Sequence, residues 1–180
     1  MSKLNEDSEL IKRAVAGNAD AFESLINEYY EVMFKMAFKW CGNRRDAEDI
    51  TQDACIKLAR GISSYNGKSK FTSWLYMVVI NTAKDFYKSQ NRHPEGNELL
   101  ESIVGENEDA EDKIFTRQVL AAVHDLPEGE KESLLLVMGQ GLSHKEAAKI
   151  SGVKESTISW RIHEARKKLE NLFNKEERYG

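Results

Sequence analysis

Between Ser143 and Leu169 the chain carries a helix start, a forced turn and a second helix in succession, an order that leaves the local fold little choice. Ser143 and Glu146 form a capping box, in which the serine oxygen and the glutamate each satisfy an orphan amide proton. A helix is therefore expected to begin there and run to about Ile150. Ser151, Gly152 and Val153 make the turn: the glycine takes the left-handed conformation that ends a helix, and the valine plugs the crease between two helices. A second helix follows from about Glu155. At about 100° per residue, Ile158, Ile162, Ala165, Leu169 and Leu172 fall on one stripe, which must pack on the first helix.

The opposite side of that second helix carries Ser156, Trp160, His163 and Lys167, flanked by Ser159 and Arg166. A helix of this kind lies in a DNA major groove, where short polar and aromatic side chains meet base edges and cations reach phosphates. Trp160 weighs most, because a large aromatic opposite the core stripe has no folding role. Lys and Arg in a last turn also complement the helix dipole, so Arg166, Lys167 and Lys168 by themselves decide nothing.

The charge map divides the chain. Residues 1–93 carry 14 basic and 12 acidic groups, residues 94–112 carry none and 8, and residues 113–180 carry 12 and 10. The acid excess behind the net charge of −4 thus lies in one segment with Pro94, Gly96 and Gly105, which reads as a linker. Free-standing DNA-binding proteins are usually basic, since phosphate neutralisation supplies much of their affinity. This chain is expected to bind DNA weakly alone and to meet it within a larger complex, with the acidic linker occupying a basic channel or acting as a solvated tether. Cys41 and Cys55, with no CxxC and no His cluster, indicate neither a disulfide framework nor a zinc site. No apolar run reaches the length of a membrane span and the N-terminus is polar and acidic, so a cytoplasmic protein is expected.

Every periodic segment before the linker is helical. Leu10, Ile11, Ala14 and Val15 form a short stripe ending near Gly17; Phe22, Leu25, Ile26, Tyr29, Met33, Met36, Ala37 and Trp40 form a longer one ending at Gly42. In the next helix Ala47, Ile50, Ala54 and Leu58 take the core face, which leaves Asp46, Glu48, Asp49, Gln52 and Asp53 as an expected acidic, solvent-facing surface. Acids in a first turn are ordinary dipole complements, but Asp49, Gln52 and Asp53 at i, i+3 and i+4 suit a basic partner surface. After Gly61 a loop, Ser63 to Lys70, mixes Tyr65, Asn66, Lys68 and Lys70. The helix that follows carries Phe71, Trp74, Leu75, Val78, Val79, Thr82 and Phe86 on one stripe and Asn81, Lys84, Asp85 and Lys88 toward its polar side. An aromatic loop beside a polar, basic helix is how proteins hold unstacked single-stranded bases.

Asp46-Ala-Glu-Asp-Ile-Thr-Gln-Asp53, the run Phe71-Thr-Ser-Trp-Leu-Tyr76 continuing to Asn81-Thr-Ala-Lys-Asp85, and Leu126-Pro127 ahead of the helix-turn-helix together resemble the extracytoplasmic-function (group 4) sigma factors of the sigma-70 family, across nearly the whole chain. The resemblance implies an all-α protein of two small helical domains: a region 2-like domain over 1–93, an acidic linker over 94–112 and a region 4-like helix-turn-helix domain over 113–180. It implies that Asp46, Glu48, Asp49, Gln52 and Asp53 dock on core RNA polymerase. It further implies that Tyr65, Asn66, Lys68, Lys70, Trp74, Asn81, Lys84 and Lys88 bind the minus-ten element, with a flipped non-template base trapped by the loop. His144, Lys145, Ser156, Thr157, Ser159, Trp160, Arg161, His163, Arg166 and Lys167 would read the minus-thirty-five element. Family members often carry Arg or Lys where Ser159 and Glu164 stand, and Arg where Asn66 stands, so a different upstream consensus is expected. A dedicated anti-sigma factor is a common partner in this family, and no appended regulatory domain is expected after Gly180.

No enzyme, metal site or cofactor is expected. His93, His124, His144 and His163 are scattered, no Gly-rich phosphate loop follows a strand, and the carboxylates share no convergent pocket. A stand-alone helix-turn-helix regulator would bind duplex DNA tightly as a dimer on two half-sites, against the acidic balance and the single-strand-like loop. A helical adaptor that binds only proteins would leave Trp160 and the basic last turn without a DNA role.

Overall fold

The computed structural model describes residues 3–91, 118–119 and 121–179, with side chains from 8 to 172 within those ranges; the acidic segment 94–112 lies outside the described residues. Every regular element among the described residues is a helix. The contacts divide the chain into two compact units, one of residues up to Ala37 with Arg45–Asn91, the other of Phe38–Arg44 with the described residues beyond Arg92.

In the first unit, α1 (Lys3–Val15) ends at Gly17, whose φ of 91° is the left-handed stop that a side chain would resist. Asn18 then starts α2 (Ala19–Cys41) by accepting the Ala21 N–H on its Oδ1 at 2.8 Å. α3 (Arg44–Gly61) leads through a 3₁₀ turn, Ile62–Ser64, to the loop before α4 (Phe71–Gln90). Leu25, Met33, Met36, Ala47, Ile50, Ala54, Leu58, Leu75, Val79 and Ile80 are buried together, so the 3.6-residue stripes do build the core. The core is wider than those stripes. Thr51, Ser73 and Thr82 are buried as well; the Thr51 and Thr82 hydroxyls donate to the carbonyls of Ala47 and Val78, four residues back. That local bond is what lets a polar side chain be buried on a helix without a desolvation cost.

The second unit contains α5 (Glu128–Leu134), continued by a π-helical turn, Leu135–Gly139, then α6 (His144–Ser151) and α7 (Glu155–Tyr179). Leu136, Ala147, Ile150, Ile158, Ile162 and Ala165 form its core. Leu172, expected on that stripe, is instead 50% exposed. The reason is length: at 1.5 Å per residue the 25 residues of α7 extend about 37 Å, far beyond the 7- and 8-residue helices that cover its first half. α5 also buries Glu130, Lys131, Glu132 and Ser133, a polar run that composition alone would place on the surface. Lys168 of α7 pairs with Glu130 at 2.5 Å, and the Ser133 hydroxyl donates to the Gly129 carbonyl at 2.7 Å.

Candidate functional site

The helix-turn-helix is built as its local chemistry dictates. The Ser143 N–H donates to Glu146 Oε2 at 2.9 Å and the Glu146 N–H donates to Ser143 Oγ at 3.2 Å, closing the capping box. Gly152, at φ 66° and ψ 29°, ends α6 with its N–H on the Ala148 carbonyl. With Ile158, Ile162 and Ala165 buried, Trp160 is 59% exposed, and Ser156, Ser159, His163, Arg166 and Lys167 stand exposed around it, with Thr157 half-buried. Lys145 is exposed at the start of α6, while His144 Nδ1 lies 2.8 Å from Ser159 Oγ and ties that start to α7. Two cations of this helix are directed to protein instead. Arg161 covers Gly129 of α5, its Cζ 2.8 Å from where a Cβ on that glycine would stand, and Lys168 holds Glu130. Arg161, which the resemblance puts on the minus-thirty-five surface, is therefore half-buried against α5, because its stem leaves the helix beside the core stripe.

On α3 the acidic face is smaller than expected. Asp46 is only 4% exposed, and Tyr87 of α4 donates its hydroxyl to Asp46 Oδ2 at 2.6 Å. A carboxylate so engaged braces α3 against α4 and presents nothing to a partner. Glu48 is half-buried, whereas Asp49, Gln52 and Asp53 are exposed, and Ile56, one turn on, extends their face at 51% exposure.

The loop before α4 is shaped by its own side chains. Tyr65 donates its hydroxyl to the Ser69 carbonyl at 2.6 Å, and burial pushes its phenol pKa up. Asn66 Oδ1 accepts the Lys68 N–H at 3.1 Å around Gly67, so Asn66 is a turn former as well as an exposed group. Trp74 is half-buried, its ring centroid 5.5 Å from that of Tyr65 and 5.8 Å from that of Phe71. The fold thus brings Tyr65 and Trp74 together. Asn81 is exposed two turns further along the same helix face, about 10 Å from Trp74 by helical rise, so it belongs to a neighbouring subsite. Lys68, Lys70 and Lys88 are exposed and Lys84 is half-buried.

Two family models match this arrangement: sigma-70 region 2 over residues 25–93 and sigma-70 region 4 over residues 116–169. The extracytoplasmic-function RNA polymerase sigma-E factor of Haemophilus influenzae is 30% identical over 185 residues, covering 95% of this chain and 97% of that protein. The chain belongs to the extracytoplasmic-function sigma factors of the sigma-70 family. As such it is a transcription initiation factor. The RNA polymerase sigma-H factor of Pseudomonas aeruginosa is 28% identical over 190 residues, 96% of each chain. Among solved structures the fold is similar to CnrH in complex with the cytosolic domain of CnrY, at a TM-score of 0.68 and 23% identity, covering 93% of this chain and 97% of that one. It is also similar to the sigma factor RpoE of Bartonella quintana in complex with the anti-sigma factor NepR, at 0.64 and 20%, covering 85% and 96%.

Several groups around the sigma-factor surfaces escaped the sequence pattern. Gly129 and Glu130, which hold Arg161 and Lys168, sit on α5 and reach α7 only through tertiary packing. Lys57 of α3 pairs with Asp85 of α4 at 2.7 Å, linking the acidic face to the polar side of α4. Among the described residues no His, Cys, Asp and Glu side chains group to hold a metal ion, and no helix is long and apolar enough to cross a membrane.

Proposed function

We propose that this sigma factor binds core RNA polymerase through Asp49, Gln52 and Asp53 with Glu48 beside them, and directs it to the promoters of a specialised stress or envelope-type regulon. In this reading residues 1–93 act as region 2, 94–112 as the linker and 113–180 as region 4. Tyr65, Asn66, Lys68, Lys70 and Trp74 hold an extruded non-template base of the minus-ten element, and Asn81, Lys84 and Lys88 hold the strand beside it. Unstacking costs a few kcal/mol per base, and a pocket that stacks and hydrogen-bonds the extruded base offsets it. Ser156, Thr157, Ser159, Trp160, His163, Arg166 and Lys167, with His144 and Lys145, read the minus-thirty-five element. The observation that carries the reading is the α7 face, where an aromatic at 59% exposure stands among polar and basic groups directly opposite the buried Ile158, Ile162 and Ala165.

Nucleotidyl chemistry stays with the polymerase; this chain acts in the cytoplasm as a specificity subunit with no catalytic centre or cofactor of its own. An anti-sigma factor that covers the polymerase-binding surface is its proposed regulator, a reading supported by the Bartonella relative's complex with NepR. The alternative, a dimeric regulator acting without polymerase, has no specific observation in its favour.

Run-off transcription from a mixed promoter library, with bacterial core polymerase and with or without this chain, tests the proposal. Discrete new transcripts are expected that vanish in the double variant Asp49→Lys, Gln52→Lys and change in promoter choice when Trp160 and His163 become Ala. Core-independent duplex binding with no new transcript would overturn it.

A further inference from the structure

The sequence pattern gave α1 only a core-building role, yet α1 packs on the 3₁₀ turn at Ile62–Ser64 and faces the loop that follows. Between them lies a cavity of about 440 Å³, lined by Ile11 and Lys12 of α1, Tyr29 of α2, and Tyr65, Lys70 and Phe71. Its volume falls in the roughly 300–1,000 Å³ range of small-ligand sites. Its aromatic walls are held edge to face: the Phe71 centroid is 5.2 Å from Tyr29 at 73° and 5.3 Å from Tyr65 at 82°. Such pairs fix ring orientation, so the cavity is pre-shaped rather than formed on binding. The Lys12 ammonium lies 4.0 Å from the Glu9 carboxylate in a largely exposed pair, a contact too weak to hold it from a ligand.

We infer that Lys12 of α1 is a base-specificity residue of the strand-holding loop: it lines the aromatic cavity together with Lys70 and selects an extruded base that carries a carbonyl oxygen on the edge where adenine and cytosine carry an amino group. This rests on the reading of the Tyr65 loop as a base trap and adds to it a group from another helix. The chemistry is directional. An ammonium only donates, so on that edge it is satisfied by the O4 of thymine or the O6 of guanine, whereas adenine and cytosine turn an amino group, itself a donor, toward a cation placed there. The aromatic walls hold every base alike, since each has a π-face, and leave discrimination to the polar rim. Lys12 stands on a helix rather than on the loop, which holds its stem in register with the rings.

The test uses the full chain with core polymerase and promoter duplexes in which 2-aminopurine scanning has located the unstacked non-template position. Open-complex formation is then measured with each of the four bases, and with an abasic nucleotide, at that position. The native chain is expected to disfavour adenine and cytosine by about tenfold against thymine and guanine, the worth of one charge-assisted hydrogen bond. Lys12→Met should erase that preference, Lys12→Arg should keep it, and both should still lose affinity with the abasic duplex. An unchanged base ranking in Lys12→Met, alongside a retained abasic penalty, overturns the role of Lys12 and leaves the base trap standing. No abasic penalty at any position in the native chain overturns the trap itself. Circular dichroism of each variant separates these results from misfolding.

Discussion

Replacing Tyr87 with Phe removes one hydroxyl and almost no volume, and so isolates the bond that takes Asp46 out of the exposed acidic face of α3. The phenol donates at 2.6 Å to a carboxylate that is 4% exposed, so water cannot substitute for it. A hydrogen bond to a charged group is worth about 1.5–3 kcal/mol, and Asp46 keeps other interactions, so a loss near 2 kcal/mol is expected. That corresponds to a change of about 30-fold in the unfolding equilibrium. Urea unfolding of the full chain, followed by circular dichroism, measures it. Asp46→Asn and the double variant complete a cycle whose coupling should be about 1–2 kcal/mol, since both partners share one contact. Polymerase affinity at low temperature, where the folded state is saturated, should be unchanged by Tyr87→Phe and collapse in Asp49→Lys. A shift of less than about 0.5 kcal/mol in Tyr87→Phe, the range of an ordinary surface change, would refute the bracing role of this bond. Polymerase binding weakened as much by Asp46→Asn as by Asp49→Lys would refute it equally.

Two further outcomes follow from the second unit. Ser143→Ala should cost about 1 kcal/mol, because it frees the Glu146 amide and leaves Glu146 with half of its box; a melting temperature equal to that of the native chain would contradict the cap. His124 is held neutral, with its pKa lowered to about 4 from 6.5 by burial and then by the Lys131 ammonium, which lies 3.5 Å from its Nδ1. Unfolded chain takes up that proton near pH 6.5 and folded chain only near 4, so the unfolded state binds more protons between them and stability falls as pH drops through that window. The slope is at most about 1.4 kcal/mol per pH unit. Urea unfolding at pH 7, 6 and 5 should show it in the native chain and not in His124→Gln, and equal slopes would rule out this origin.

Much of the fold was legible because its signals are local. A serine three residues before a glutamate, a glycine after a helix and apolar residues at 3.6-residue spacing act through neighbours in the chain, and the structure carries each of them as α6, Gly152 and α7. The candidate surfaces were read less completely. Periodicity puts Asp46 and Asp49 on one side of α3, and nothing near them in sequence announces that Tyr87, 41 residues on, covers the first and spares the second. Arg161 is a groove-facing cation by the family resemblance, whereas its stem leaves α7 beside the core stripe and its guanidinium lies on Gly129 of α5. Leu172 continues the stripe of α7, but among the described residues α5 and α6 are too short to reach it.

The sequence by itself determined that this chain is helical, that a helix-turn-helix stands near its end with Trp160 facing outward, and that it resembles a sigma factor, because caps, turns and periodic burial depend on residues a few positions apart. Only the tertiary structure decided which charged groups face solvent and which brace helices, and it alone placed Lys12 beside the rings of Tyr29, Tyr65 and Phe71. Those outcomes depend on how far one helix extends over another and on which distant side chain takes up a polar group, and neither quantity is present in any local pattern of residues.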